Sequence, residues 1–208
     1  MVSRHLSRAL LPLIALYVLS GSANAQTIVH KSMHYFRIGG HTAEELDREL
    51  ESKGPHTSNS AGRHPGAARI RFGGTLTYVR TPDSCKIGRS RVTVSIEIII
   101  PRWINRRHAS RNLALVWDTI YYDIRRHEAR HAEIAVQHAR DLDRRLMALS
   151  SYPNCQALQK KIVAVTDKVS EEQDEDQLRF DRIEAINYDA RLMRLLKYRF
   201  QQLYGVSG

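Results

Sequence analysis

The sequence predicts an α+β domain: a small, mainly antiparallel sheet packed on one long helix, with further helices towards the C-terminus. Three observations point there. Segments 68–80 and 91–100 alternate apolar and polar residues with the period of a strand that has one buried face. From Asn112 the period lengthens to three or four residues and holds over about 38 residues, the mark of an amphipathic helix. That helical stripe also carries His127, Glu128, His131 and His138 among its apolar members.

The elements follow in order. The first 25 residues have Arg4 and Arg8, an apolar run too short to span a bilayer with ease, and Ala23-Asn24-Ala25. They read as a secretory signal peptide cut after Ala25, so 26–208 is expected to be the mature domain, mainly sheet over 26–105 and helical over 106–208. Residues 28–38, rich in β-branched and aromatic side chains, predict a first strand stopped by Gly39-Gly40. Thr42 with Glu45 three residues on forms a capping box for a short helix that ends at Gly54-Pro55. In 68–80 the apolar positions are Ile70, Phe72, Leu76 and Tyr78; in 91–100 they are Val92, Val94, Ile96, Ile98 and Ile100. A loop over 81–90 is expected between them, and Pro101 is expected to end the second strand and mark it as an edge. Tyr152-Pro153-Asn154 breaks the long helix. A helix over 155–169, an acidic stretch and a last helix over 178–203 complete the chain, the last with Ile183, Ile186, Met193, Leu196 and Phe200 on its expected inner side.

Charge and cysteines narrow the function. The chain carries a formal +10, and removing Arg4 and Arg8 with the leader leaves +8. A basic exported protein suits anionic envelope components; nucleic acid is not expected, given export and the scarcity of aromatics among the basic residues. No later run is apolar enough for stable membrane insertion once the leader is gone, so a periplasmic or secreted location is expected. Cys85 and Cys155 are the two cysteines. In an oxidising compartment they most often pair, the alternative being two buried thiols.

The chemistry is concentrated in His127-Glu128-Ala129-Arg130-His131, an H-E-x-x-H segment. Residues four apart on a helix lie one turn above each other, so both imidazoles can reach one zinc ion, and Glu128 can take a proton from water activated there. Burying two histidines and a glutamate on an apolar face without partners is costly, which favours a metal over a solvated helix. The third ligand is open. His138 lies seven residues beyond His131, about 10 Å along the axis, too far for the same ion on an unbroken helix. The last helix offers Glu184 and Asp189, of which Asp189, near the Ile186–Met193 side, is expected to face inward. Tyr188 beside it could donate a hydrogen bond to a developing oxyanion.

The order HYFRIGGHTAEELDRELESKGP, a strand ending IIIPRW, a Trp-bearing helix with HEARH, and NYD near the C-terminus resembles a bacterial domain-of-unknown-function family described as predicted secreted zinc-dependent proteases and placed near the gluzincin-like peptidases. The resemblance covers about residues 34–194. It implies a zincin-like fold with a sheet on the zinc helix, zinc at His127 and His131, and Glu128 as catalytic base. The family pattern continues after Tyr-Asp with Thr and then His-Gly, whereas Tyr188-Asp189 is followed by ARLMRLL. The expected function is hydrolysis of a peptide or protein substrate by zinc-activated water. The alternative is a catalytically degenerate envelope-binding module that keeps the fold.

Overall fold

The computed structural model describes residues 27–57 and 62–205; the expected signal peptide lies outside them. In chain order the elements are β1 (Ile28–Ile38), α1 (Ala43–Lys53), β2 (Ala67–Thr81), β3 (Ser84–Trp103), a 3-10 turn (Arg106–His108), α2 (Arg111–Met147) and α3 (Cys155–Tyr204). The α+β class expected from the sequence is observed. Two N-caps follow from short polar side chains: Thr42 Oγ1 accepts from Glu45 N at 3.2 Å and Ser110 Oγ accepts from Leu113 N at 3.3 Å. Glu45 reaches back to accept from His41 N at 2.6 Å, which completes the α1 start.

The sheet differs from expectation in two ways. Its order is β1-β3-β2, with β1 parallel to β3 and β2 antiparallel to it, so it is mixed rather than mainly antiparallel. The strand expected at an edge is therefore the central one. The physical sign is the run from Ile98 to Pro101, buried on both faces, which only a strand with neighbours on each side and cover above and below can achieve. Pro101 does not end it, because its fixed φ suits extended chain, and β3 continues to Trp103. The expected 81–90 loop shrinks to a two-residue turn at Pro82-Asp83. Beyond it β2 and β3 pair with a register shift between Thr77 and Tyr78.

One face of the sheet makes the core. Val92, Val94, Ile96, Ile98 and Ile100 point at α2, whose Ile124, Ala132, Ala135, Ala139, Leu142 and Leu146 answer them. The three alanines let the helix backbone approach the sheet closely, and each fully buried isoleucine contributes roughly 2 kcal/mol. A second cluster of Ile38, Leu46, Trp103 and Trp117 ties α1 to the end of β1. Trp103 donates Nε1–H to Gly40 O at 3.0 Å, and Gly40 holds φ at 90°, a left-handed value that glycine tolerates.

Cys85 and Cys155 form a disulfide that closes a 70-residue separation. Cys85 also exchanges both backbone hydrogen bonds with Tyr152, at 2.7 and 2.9 Å. The β2–β3 hairpin is thereby fastened to the start of α3. α3 is one unbroken helix of 50 residues rather than two helices around an acidic stretch. Its interior has no Pro or Gly, and several of its acids are met by cations: Glu172 pairs with Arg145 at 2.7 Å, and Asp176 with Arg179 at 2.7 Å. Of the side of α3 expected to face inward, Ile183, Ile186 and Met193 face water, Ile186 83% and Met193 65% exposed, while Leu196 and Phe200 are half-buried.

Candidate functional site

α2 and α3 run antiparallel; near the root of α3 Leu158, Ile162 and Val169 join the core, and beyond them what the two helices share is polar. From α2 come Asp123, Arg126, His127, His131 and His138. From α3 come the buried Gln173 and Gln177, then Asp181, Glu184 and Arg191. One turn of α2 stacks His127 on His131, with their Nε2 atoms 3.0 Å apart. Asp181 Oδ1 lies 2.9 Å from His131 Nε2 and 3.3 Å from His127 Nε2. Phe180 walls the site, its ring centroid 4.9 Å from that of His127 and 5.1 Å from that of His131.

The tautomer of His131 is set from behind. Its Nδ1 is 2.5 Å from Gln177 Oε1, while Gln177 Nε2 donates to His131 O at 3.2 Å. An amide oxygen only accepts, so Nδ1 carries a proton, and Nε2 faces Asp181 and His127 either as an N–H donor to the carboxylate or as a lone pair for a cation. A second imidazole nitrogen and a carboxylate oxygen converge on that nitrogen. Protons on the imidazoles shared with Asp181, or one metal ion held by all three groups, can each reconcile groups this close. The donor atoms of His127, His131 and Asp181 all lie within 4.8 Å of one another, and two imidazoles with one carboxylate is a set that suits zinc. The site residues thus fit the metal that the sequence leads one to expect.

Glu128 is 5% exposed and points towards the sheet. Burial, opposed by the nearby His127 and His131, raises its carboxyl above the ordinary range. The start of β2 lies on it: a Cβ added to Gly66 would stand 2.8 Å from Glu128 Oε1. For Asp181, burial works towards a higher pKa, but hydrogen bonds and charge from His127 and His131 outweigh it and hold the carboxyl well below the usual range.

Next to the cluster lies an ionic clamp. Arg191 grips Asp123 through Nε at 2.9 Å and Nη2 at 3.1 Å, and Nη2 also lies 3.1 Å from Glu184. Arg126 joins the same two acids, at 3.2 Å to Asp123 and in close contact with Glu184. Glu184 Oε2 is also 3.8 Å from His127 Nδ1. The clamp sets the register of α3 on α2, and with it the position of Asp181.

The family comparison fits this region. The model of the family described as "Bacterial protein of unknown function (DUF922)" matches residues 33–188, three quarters of the chain, and spans His127, Glu128, His131 and Asp181. The chain belongs to that family. Its description names neither an activity nor a metal, so the zinc-protease character implied by the resemblance does not come from it. No curated protein and no solved structure matches the chain.

For this family member, the structure brings together His127, Glu128 and His131 but not Asp189 or Tyr188. Asp189 is exposed, eight residues past Asp181 and about 12 Å further along the axis. Tyr188 stacks under Arg191, whose guanidinium is 5.8 Å from the ring centroid. Burial and then the charge of Asp123 raise its phenol pKa, and the histidine pair does not figure among its electrostatic neighbours. Glu184 is taken up by the two arginines. His138 forms a separate pair, Nε2 to Asp176 at 2.9 Å, two turns down the seam.

Asp181 is the residue that sequence reasoning missed. The apolar stripe of 178–203 suggests which side faces inward, and its first members, Ile183, Ile186 and Met193, are solvent-facing. The usable signal was polar: Gln173, Gln177 and Asp181 at four-residue spacing, then Glu184, Tyr188 and Arg191, form one continuous stripe complementary to the polar flank of α2.

Proposed function

We propose that the chain is an exported zinc-dependent hydrolase of peptide bonds, with His127, His131 and Asp181 holding the metal and Glu128 acting as general base. The observation that carries this reading is the convergence of three donors from two helices on one point beside a buried carboxylate. Zinc bound there would supply a Lewis acid that acidifies water and polarises the scissile carbonyl. Glu128 takes the proton from the attacking water and passes it to the departing amine; its raised pKa brings it nearer to both tasks. Gln177 keeps His131 in the ligating tautomer, and Phe180 shields the pair from bulk water.

The substrate belongs on β2 rather than on β3. β2 pairs with β3 on one side only, and its first residues lie over Glu128, so an extended peptide added to the free edge would pass the base. Export is supported by the disulfide and by the leader sequence; among the described residues no helix is long and apolar enough to cross a membrane. The test uses purified protein, zinc content by elemental analysis and a peptide library. Glu128→Gln keeps one zinc per chain and loses cleavage. Asp181→Asn loses at least about tenfold in zinc affinity. Stoichiometric zinc in a wild-type protein that cleaves no peptide would sink the peptidase reading and leave a metal-binding module.

A further inference from the structure

The sheet has a second face, turned away from the helices. Its outward row on β3 runs Lys86, Arg89, Arg91, Thr93, Ser95 and Glu97, and on β2 the partners are Val79, Thr77, Thr75, Gly73, Arg71 and Arg69. No element covers this stretch: Lys86, Arg89, Arg91, Arg69 and Arg71 are all exposed. At one end the face is indented by a cleft of about 430 Å³ whose lining includes His30, Lys31, Arg69, Arg71, Ser95 and Glu97.

The cations here are aligned on one strand pair and mostly lack a carboxylate partner. On the helices Arg126, Arg130, Arg144, Arg145, Arg179 and Arg191 are each met by a carboxylate. On the sheet face only Arg69 is, 3.6 Å from Glu97. Among the described residues, no ion pair or side-chain hydrogen bond engages Arg71, Lys86, Arg89 or Arg91. Four of the five cations on this face are therefore available to an anion.

Spacing and surroundings indicate which anion would suit them. Alternate residues on a strand are about 6.7 Å apart, so Arg69 and Arg71, and again Arg89 and Arg91, present charges at that interval. From the level of Arg69 to Lys86 the row extends roughly 36 Å. The residues between the cations are Thr, Ser and Gly, which offer hydroxyls and no bulk. No aromatic side chain stands in the row, so unstacked bases would find no platform. No large apolar side chain but Val79 stands there either, so nothing would enter a bilayer.

We propose that this face docks a linear polyol-phosphate polymer, an extended chain of phosphodiesters without aromatic bases. The guanidinium groups take successive phosphates, the Thr and Ser hydroxyls take the polyol oxygens, and the cleft at the Arg71 end seats a terminal phosphate. The surface lies across the sheet from the histidine cluster and does not depend on that site's chemistry; it would hold the protein to a polyanionic matrix while the other face works.

The probe is fluorescently labelled synthetic poly(glycerol phosphate), titrated with the full mature protein at several salt concentrations. The wild type binds, with affinity falling steeply as salt rises. The triple variant Arg71→Glu, Arg89→Glu, Arg91→Glu loses at least about tenfold in affinity and shows a shallower salt dependence. Arg130→Glu with Arg144→Glu, the same kind of change on the helices, binds as the wild type does. Far-UV circular dichroism and thermal melting show that each variant is folded; should the triple variant fail that check, single Arg71→Ala and Arg91→Ala proteins replace it. Absence of binding by the wild type at low salt, equal binding by the sheet-face and helix variants, or binding to single-stranded DNA or phosphatidylglycerol vesicles as tight as to the polymer would each overturn the proposal.

Discussion

Gly66→Ala isolates the contact between the start of β2 and the proposed base. A methyl group at position 66 would stand 2.8 Å from Glu128 Oε1, 2.8 Å from Ile124 Cγ2 and 3.0 Å from Glu128 Cγ. Ordinary carbon contacts need about 3.5 Å or more, so the β2 start or the Glu128 side chain must move by roughly 0.7 Å. Gly66 has no left-handed φ, so the added methyl acts through contact and not through backbone strain. Overpacking of this kind costs about 1–3 kcal/mol. At about 2–4 °C per kcal/mol for a domain of this size, Tm drops by about 2–12 °C. The base is displaced as well. A 1 Å error in a reacting group can cost about a hundredfold, so kcat should fall by about ten- to a hundredfold while zinc content stays at one per chain. Differential scanning fluorimetry, elemental analysis and peptidase kinetics on one preparation read all three. A Gly66→Ala protein with unchanged Tm and unchanged kcat would refute the placement of Glu128 under β2.

Gln177→Ala frees the rear nitrogen of His131 and should weaken zinc affinity by about 10–100-fold, measured by competition with a chromogenic chelator. Replacing both cysteines by serine removes the link across 70 residues and should lower unfolding stability by about 4 kcal/mol in the loop-entropy account, read from urea titration with the m-value checked. Asp123 is held below its ordinary pKa because Arg191 and Arg126 outweigh its burial. A depressed folded pKa contributes stability that is complete above the unfolded value of about 3.9 and is lost as pH falls through the folded value. Thermal melts from pH 6 down to pH 2 should therefore steepen below about pH 4 for the wild type and less so for Asp123→Asn.

Local patterns were the legible part. Strand alternation placed Ile70, Phe72 and the Val92–Ile100 row on the buried side, and Thr42 with Glu45 marked the start of α1. The two cysteines pair, as an even count in a chain expected to be exported suggests. What escaped was non-local or polar. Nothing in 28–38 says that it pairs in parallel with a strand more than sixty residues away, and the edge assignment of β3 failed with it. The triple isoleucine before Pro101 was the overlooked sign of a strand covered on both sides. α3 misled for a different reason. Apolar periodicity locates a buried face only when burial is what fastens the helix, and here charges and amides fasten it, so Ile186 and Met193 point to solvent and Asp181 points in. His127, Glu128 and His131 could be read because one helix turn carries all three; their partner could not, because it belongs to a helix whose orientation is set by α2.

Past the apolar contacts of Leu158, Ile162 and Val169, the meeting of α2 and α3 along ions and amides has a mechanical consequence. Parting an oily seam exposes hydrocarbon to water, whereas parting this one leaves largely buried carboxylate and guanidinium groups without partners. α3 is pinned covalently at its root by Cys155 and secured along its far half by groups such as Arg191, Arg199 on the Tyr122 ring, and Tyr204 on Asn112. Since Asp181 rides on α3 and both imidazoles on α2, the three groups stand together only where this seam holds the two helices in register.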